Sequence, residues 1–219
     1  MRALISVYDK TGLVDFARGL VELECELVSS GGTADELDEA GLPVTRVEEV
    51  TGFPELFEGR VKTLHPRIHA GILARRDRPE DVAALAEHGI EPFDLVCVNL
   101  YPFELAVDRP ELDEAGLIEM IDVGGPALLR AAAKSFASVV ALCRPSDYER
   151  VLEELRAGNG QTTVELRRRL AAVAFARSAA YEAAIARWFQ RDQGFPETFV
   201  PAFDRLRELP YGENPHQRA

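Results

Sequence analysis

The chain has 219 residues, 47% of them hydrophobic, and a formal net charge of −12. That length and composition can fill a complete apolar core in one large domain, or in one domain with an appendage. The acidic balance opposes nonspecific nucleic-acid binding, no apolar run approaches the ~20 residues of a membrane span, and no charged-then-apolar signal segment opens the chain, so a cytoplasmic location without nucleic-acid or membrane partners is expected.

Short β-rich apolar runs alternate with helical patterns, which predicts an α/β fold: a doubly wound, mainly parallel sheet with helices on both faces. Residues 2–7 read as the first strand, 13–23 as a helix, 25–29 as the second strand, 34–40 as a short helix stopped by Gly41, and 44–47 as the third strand. Residues 51–71 then break the pattern with Gly52, Pro54, Gly59, Pro66 and Gly71, a connection long enough to be a functional excursion. Regularity resumes with a helix at 79–88, a strand at 95–101, helices at 110–120 and 126–135, and a last strand at 138–143. Beyond residue 146 strand signals vanish, and helices are predicted at 146–156 and 163–191. The expected division is a phosphate-binding core over 1–145, a helical appendage over 146–193 and an extended, proline-bearing tail over 194–219. Arg167, Arg168 and Arg169 follow Glu165 on the long helix and read as a solvated face. Cys25, Cys97 and Cys143 lie in apolar runs without C-x-x-C spacing, which predicts buried reduced thiols.

Lys10, Lys62 and Lys134 are the chain's only lysines among many arginines, and each lies in or near a segment built of Gly, Ser, Thr or Ala. An ammonium is a compact point charge that can surrender a proton when desolvated, whereas a guanidinium in practice cannot. Ligands of open α/β sheets bind beyond the carboxyl ends of the strands, which singles out Tyr8 to Gly12, Ser29 to Thr33, Asn99 to Pro102, and Asp122 to Gly125. Ser30-Gly31-Gly32-Thr33 can bring backbone N–H groups close to an anion, or can equally be a tight turn with an N-cap. Lys10, Arg60, Lys62 and Thr63 in neighbouring candidate loops favour an anion site, and the absence of G-x-x-x-x-G-K-[ST] and G-x-G-x-x-G sequences favours a monophosphate over ATP or NAD. His65 and His69 flank Pro66 with no third ligand nearby, so packing is preferred to metal binding. Asp122 before Gly124, Gly125 and Pro126 suits either a helix cap or a catalytic carboxylate, and Lys134 suits either a pocket or a solvated surface.

Six ordered motifs carry a resemblance: Ser-Val-x-Asp-Lys-Thr-Gly from Ser6, Ser-Gly-Gly-Thr from Ser30, Gly-Arg-Val-Lys-Thr-Leu-His-Pro from Gly59, Asn-Leu-Tyr-Pro-Phe from Asn99, Ile-Asp-Val-Gly-Gly from Ile121 and Arg-Ala-Ala-Ala-Lys from Arg130. Together they resemble the IMP cyclohydrolase domain of the bifunctional purine-biosynthesis enzymes whose second domain is AICAR transformylase. The resemblance implies a methylglyoxal-synthase-like fold and the dehydrative closure of FAICAR to IMP, the last step of purine synthesis, with no metal or organic cofactor. It assigns Lys134 as proton donor and acceptor and Asp122 as the group that accepts or orients the carboxamide hydrogen, with Tyr101 and Lys62 completing the catalytic set. Substrate contacts are implied for Tyr8, Asp9, Lys10, Thr11, Ser30, Gly31, Gly32, Thr33, Arg60, Val61, Lys62 and Thr63, and for Val98, Asn99, Asp122, Val123, Gly124 and Gly125. Tyr8 departs from the smaller hydroxyl residue frequent in the family, and Pro210 from a frequent arginine. Tyr211-Gly-Glu-Asn-Pro-His-Gln217 resembles the opening of the transformylase domain, which implies that domain as a partner; a homodimer is compatible with the resemblance. Two other readings of the same fold stand beside this one: a regulatory module that binds a nucleotide monophosphate without chemistry, and methylglyoxal synthase acting on dihydroxyacetone phosphate. Lys134 and the added helices argue against the regulatory module.

Overall fold

The computed structural model describes residues 1–54 and 56–205. Five strands, β1 (Arg2–Val7), β2 (Glu26–Ser29), β3 (Val44–Arg46), β4 (Leu95–Asn99) and β5 (Val140–Leu142), form one parallel sheet in the order β3-β2-β1-β4-β5. The strands are apolar on both faces because both faces are covered. Ala3, Ile5, Val7, Leu27, Cys97 and Leu142 point into one apolar layer, whereas Leu4, Val28, Val96, Val98 and Ala141 point into the other, as the two-residue period of a strand requires.

The first layer is closed by α1 (Leu13–Glu22) and α9 (Tyr148–Ala157), and the second by α4 (Pro66–Leu73) and α8 (Gly124–Lys134). Helix α10 (Val164–Phe189) contributes Leu166 and Leu170 to the first layer and Ala171 and Ala174 to the second. Its buried positions Leu166, Leu170, Ala174, Ser178, Tyr181, Ile185 and Trp188 recur at steps of three and four, the stripe by which a helix docks. The helices beyond residue 146 are thus layers of the domain and share its core, so the expected appendage is built into the fold. Buried large side chains of this kind contribute about 1.5–3 kcal/mol each to the packing of α9 and α10 on the sheet.

Several elements differ from the sequence reading. Helix α2 (Gly31–Glu39) begins three residues earlier than expected, so Gly31, Gly32 and Thr33 form its first turn. Thr51 to Gly71 is no open loop: it holds the end of α3 (Val47–Thr51), a 3₁₀ turn at Phe57–Gly59 and most of α4, whose first residue is Pro66. The β-branched Val47 and Thr51 obscure α3 locally, and burial of both overrides that weak propensity. Helix α5 (Pro79–Glu87) lies where expected, α6 (Phe103–Val107) was not anticipated, and α7 (Glu114–Glu119) starts at the cap Asp113, whose side chain accepts from Gly116 N at 2.8 Å. β4 ends at Asn99, two residues early, because Asn99 turns its amide to the neighbouring loop. No helix among the described residues is long and apolar enough to cross a membrane. Pro210 and the motif from Tyr211 to Gln217 lie outside the described residues.

Candidate active site

The strand order reverses between β1 and β4, and at such a switch point the loops diverge and leave a crevice. Asn99 closes its floor. Asn99 Oδ1 accepts from Tyr8 N at 2.7 Å and from Asp9 N at 2.8 Å, while Nδ2 donates to Asp9 O at 2.8 Å. Asp9 in turn accepts from Thr11 N at 3.0 Å, and hydrogen bonding from the Thr11 side chain first and its backbone second holds the Asp9 carboxyl below the usual carboxylate range. The loop after β1 is therefore fixed by β4, and the amide of Asn99 is committed to that task.

Helix α2 starts beside this loop. Ser30 occupies the N-cap position, yet its hydroxyl makes no capping bond. Gly31 has φ +53, in the left-handed region where glycine is favoured. Thr33 Oγ1 accepts from Val7 N and donates to Val7 O, both at 3.0 Å, so this buried hydroxyl ties α2 to β1. The turn-and-cap alternative is thus half met: Thr33 is structural, whereas Ser30 leaves the first N–H groups of a nine-residue helix uncapped by its side chain.

Two ammonium groups reach that helix start. Lys62 Nζ lies 3.0 Å from where a β-carbon on Gly31 would sit, and Lys10 Nζ 3.7 Å from the equivalent position on Gly32. Lys10 also donates to Gly32 O at 2.8 Å and pairs with Glu36 at 2.9 Å, so its charge is shared with a carboxylate; Glu36 was not singled out from the sequence. The excursion that delivers Lys62 also brings Thr63, which is buried with Oγ1 against Gly124. Arg60 is exposed and pairs with Glu119 at 3.4 Å, and Val61 is exposed beside it. His65 caps α4, its Nδ1 accepting from Arg67 N at 3.1 Å, and half-buried His69 has its imidazolium form disfavoured by burial. Among the described residues no group of three or more His, Cys, Asp or Glu is placed to hold a metal ion.

On the other side stands the start of α8. Asp122 Oδ1 accepts from Gly125 N at 3.0 Å, the capping arrangement, while its backbone N–H donates to Tyr181 Oη at 2.7 Å. A β-carbon on Gly125 would collide with the Asp122 carboxylate and with Leu100 Cδ2, so glycine is required for this approach. Val123 is exposed and Val98 is buried within the sheet, where it supports the crevice from below. Tyr101 is 9% exposed, its ring set edge-on to exposed Tyr8 at 4.5 Å and beneath the Arg109 guanidinium at 5.2 Å. Its hydroxyl oxygen is buried without a hydrogen-bond partner among the described residues, which sets it apart from most buried hydroxyls. Tyr8 thus sets an aromatic wall against Tyr101.

Lys134 does not join this cluster within one chain. It is the exposed last residue of α8, and ten residues at 1.5 Å each carry it about 15 Å from Gly124, toward Leu73, Arg75, Asp81 and Ser138. A helix that begins at the crevice cannot also end there. Tyr181 and Glu36, by contrast, reach the site without having been predicted: Tyr181 shows only as one member of the buried stripe of α10, and no local signal marks Glu36.

Comparison with known proteins gives this geometry a context. The family model described as MGS-like domain matches residues 12–127, and the one described as AICARFT/IMPCHase bienzyme matches residues 132–219. A relative from Lacticaseibacillus casei (strain BL23), named bifunctional purine biosynthesis protein PurH, is 57% identical over 218 residues, 100% of this chain and 42% of the relative. Its namesake from Synechococcus elongatus is 56% identical over 225 residues, 99% of this chain and 43% of the relative. This chain therefore spans less than half the length of these curated relatives. The crystal structure of ForH is 42% identical, with a TM-score of 0.79 over 86% of this chain and 98% of that one. With a five-stranded parallel sheet, the crevice at its switch point and a family model that spans more than half of its length, the chain belongs to the MGS-like domain family, and its C-terminal segment is similar to the AICARFT/IMPCHase bienzyme model.

Proposed function

We propose that this chain binds a purine-precursor ribotide in the crevice and closes FAICAR to IMP with loss of water. The observation that carries the reading is the double reach of the 59–66 excursion, which sets Lys62 at Gly31 and Thr63 at Gly124 and so bridges a helix start suited to phosphate with one suited to the reacting ring. The name borne by the relatives, a bifunctional purine biosynthesis protein, supports the same reading and a transformylase domain as the partner in a longer chain. A cytoplasmic location accompanies it.

In this reading Lys10, Lys62, Arg60, Thr11 and the N–H groups of Ser30 to Thr33 hold the phosphate end, with Asn99 keeping the Tyr8–Asp9 loop in place, Val61 lining the site and buried Val98 supporting it from the sheet. The carboxamide nitrogen attacks the formyl carbon and a new C–N bond forms; the carboxamide nitrogen gives up one proton and the formamido nitrogen another, the former formyl C–O bond breaks as the bond to the formamido nitrogen becomes C=N, and the oxygen leaves with both protons as water. Holding the two groups in contact supplies much of the acceleration, since the attack is intramolecular. Asp122, held by Gly125 N, orients or accepts the carboxamide hydrogen, Val123 and Gly124 wall the ring, and the positive end of the α8 dipole stabilises charge on the formyl oxygen. Lys62 and Tyr101 are the groups within the cluster able to pass a proton to that oxygen. A proton-donor role for Lys134 rests on the resemblance; since Lys134 lies about 15 Å along α8 from Gly124, a second copy of the chain would present it.

The test is spectrophotometric: purified chain mixed with FAICAR should yield IMP without added metal. Recovery of FAICAR unchanged would overturn the proposal, and methylglyoxal released from dihydroxyacetone phosphate would move the chain to the synthase chemistry.

A further inference from the structure

We propose that Tyr181 is a positioning residue for Asp122, and that through it α10 forms part of the cyclising machinery; the inference rests on the function proposed above. Asp122 lies in the short link between α7, which ends at Glu119, and α8, which begins at Gly124. Its side chain is exposed, and a residue so placed has many conformations to choose from. Two hydrogen bonds remove that freedom: Gly125 N fixes the carboxylate at 3.0 Å, and Tyr181 Oη fixes the backbone N–H at 2.7 Å. The second bond crosses 59 positions of sequence.

Tyr181 is itself held rigidly. It is 6% exposed and packs with Tyr101, Phe103, Leu117, Ile185 and Trp188. On the same helix Arg187 pairs with Glu104 of α6 at 3.2 Å, and Arg191 just beyond it pairs with Glu114 of α7 at 2.9 Å. The phenol oxygen is therefore a fixed post, and the acceptor it offers to Asp122 N sets where the carboxylate stands relative to the α8 start. Tyr101 and Tyr181 share one apolar cluster, so this post packs together with the tyrosine of the crevice.

Tyr181→Phe keeps the ring and its packing and deletes only the acceptor. Initial rates of IMP formation are measured for the wild type, Tyr181→Phe, Asp122→Asn and the double variant, with thermal unfolding alongside. Tyr181→Phe should lower kcat roughly tenfold, with KM changed by less than about twofold and the fold retained. In the Asp122→Asn background the same change should cost nothing further, because a group acting through Asp122 has nothing left to act on. Equal losses in both backgrounds, a change confined to KM, or an unfolded Tyr181→Phe chain would each assign Tyr181 to another role and overturn the proposal. An active wild type with additive losses sinks the role of Tyr181 alone, whereas a wild type that forms no IMP removes the cyclisation reading and this inference with it.

Discussion

Thr63 Oγ1 stands 2.5 Å from where a β-carbon on Gly124 would lie, so the excursion and the start of α8 meet at a point that admits no methyl group. Gly124→Ala therefore sets two effects against each other. Alanine gains about 1 kcal/mol of helix propensity over glycine, whereas forcing Thr63 aside costs about 1–3 kcal/mol. The expected outcome is a modest net loss of stability in urea unfolding, about 2 kcal/mol at most, with activity lost at least about tenfold because Thr63 and Lys62 move together. Unimpaired IMP formation would show that the junction tolerates displacement.

Lys62→Ala should weaken IMP binding by roughly ten- to a hundredfold, since a charge-assisted hydrogen bond is typically worth about 1.5–3 kcal/mol. Titration calorimetry with IMP reads the effect directly. Unchanged affinity would place the phosphate away from Gly31.

Lys134 and Asp122 are separated by the length of α8, which yields a test by complementation. Lys134→Arg and Asp122→Asn are each expected to lower turnover by roughly 10²–10⁴-fold. If two copies share a site, mixing the two inactive variants under exchange should restore roughly a quarter of wild-type activity, from half the dimers carrying one intact site in two. A fully active Lys134→Arg chain would end its assignment as proton donor, and an inactive mixture would end the shared site.

His69 supplies a pH dependence whose sign follows from its burial. Desolvation lowers its pKa in the folded chain below the 6.5 of the unfolded one, so below that pH the unfolded state binds more protons. The stability contribution is complete above pH 6.5 and is lost as pH falls through the region below it. Urea unfolding at pH 7.5 and 5.5 should therefore show a steeper acid loss in the wild type than in His69→Gln. Parallel losses would mean that other groups set the slope.

The three thiols are buried, and burial raises Cys25 and Cys97 to about 12 and Cys143 to about 11. Native protein should alkylate with iodoacetamide at pH 8 at less than about a hundredth of the rate seen in denaturant, since the thiolate is the reacting species. Rapid native labelling of any one of them would contradict its burial.

What was legible in the residues was whatever depends on local period and on residue type. Short β-rich apolar runs announced the strands, and β1 begins and ends where its run does. Lys10, Lys62, the glycine pairs and Asp122 stood out because small polar and charged residues follow strand ends, and the structure brings these groups together, whereas Lys134 lies at the far end of α8. Elements whose local propensity is weak, α3, α4 and α6, escaped notice, since burial of residues such as Val47, Ile68 and Phe103 supplies what propensity does not. The joining of distant groups was decided only by the tertiary structure. That Glu36 shares Lys10, that Thr33 is spent on Val7, that Tyr181 holds Asp122 from 59 positions away and that Lys134 ends about 15 Å from the crevice all follow from how α2, α8 and α10 pack on the sheet. Packing is set by the summed burial of many side chains, and no window of neighbouring residues contains that sum.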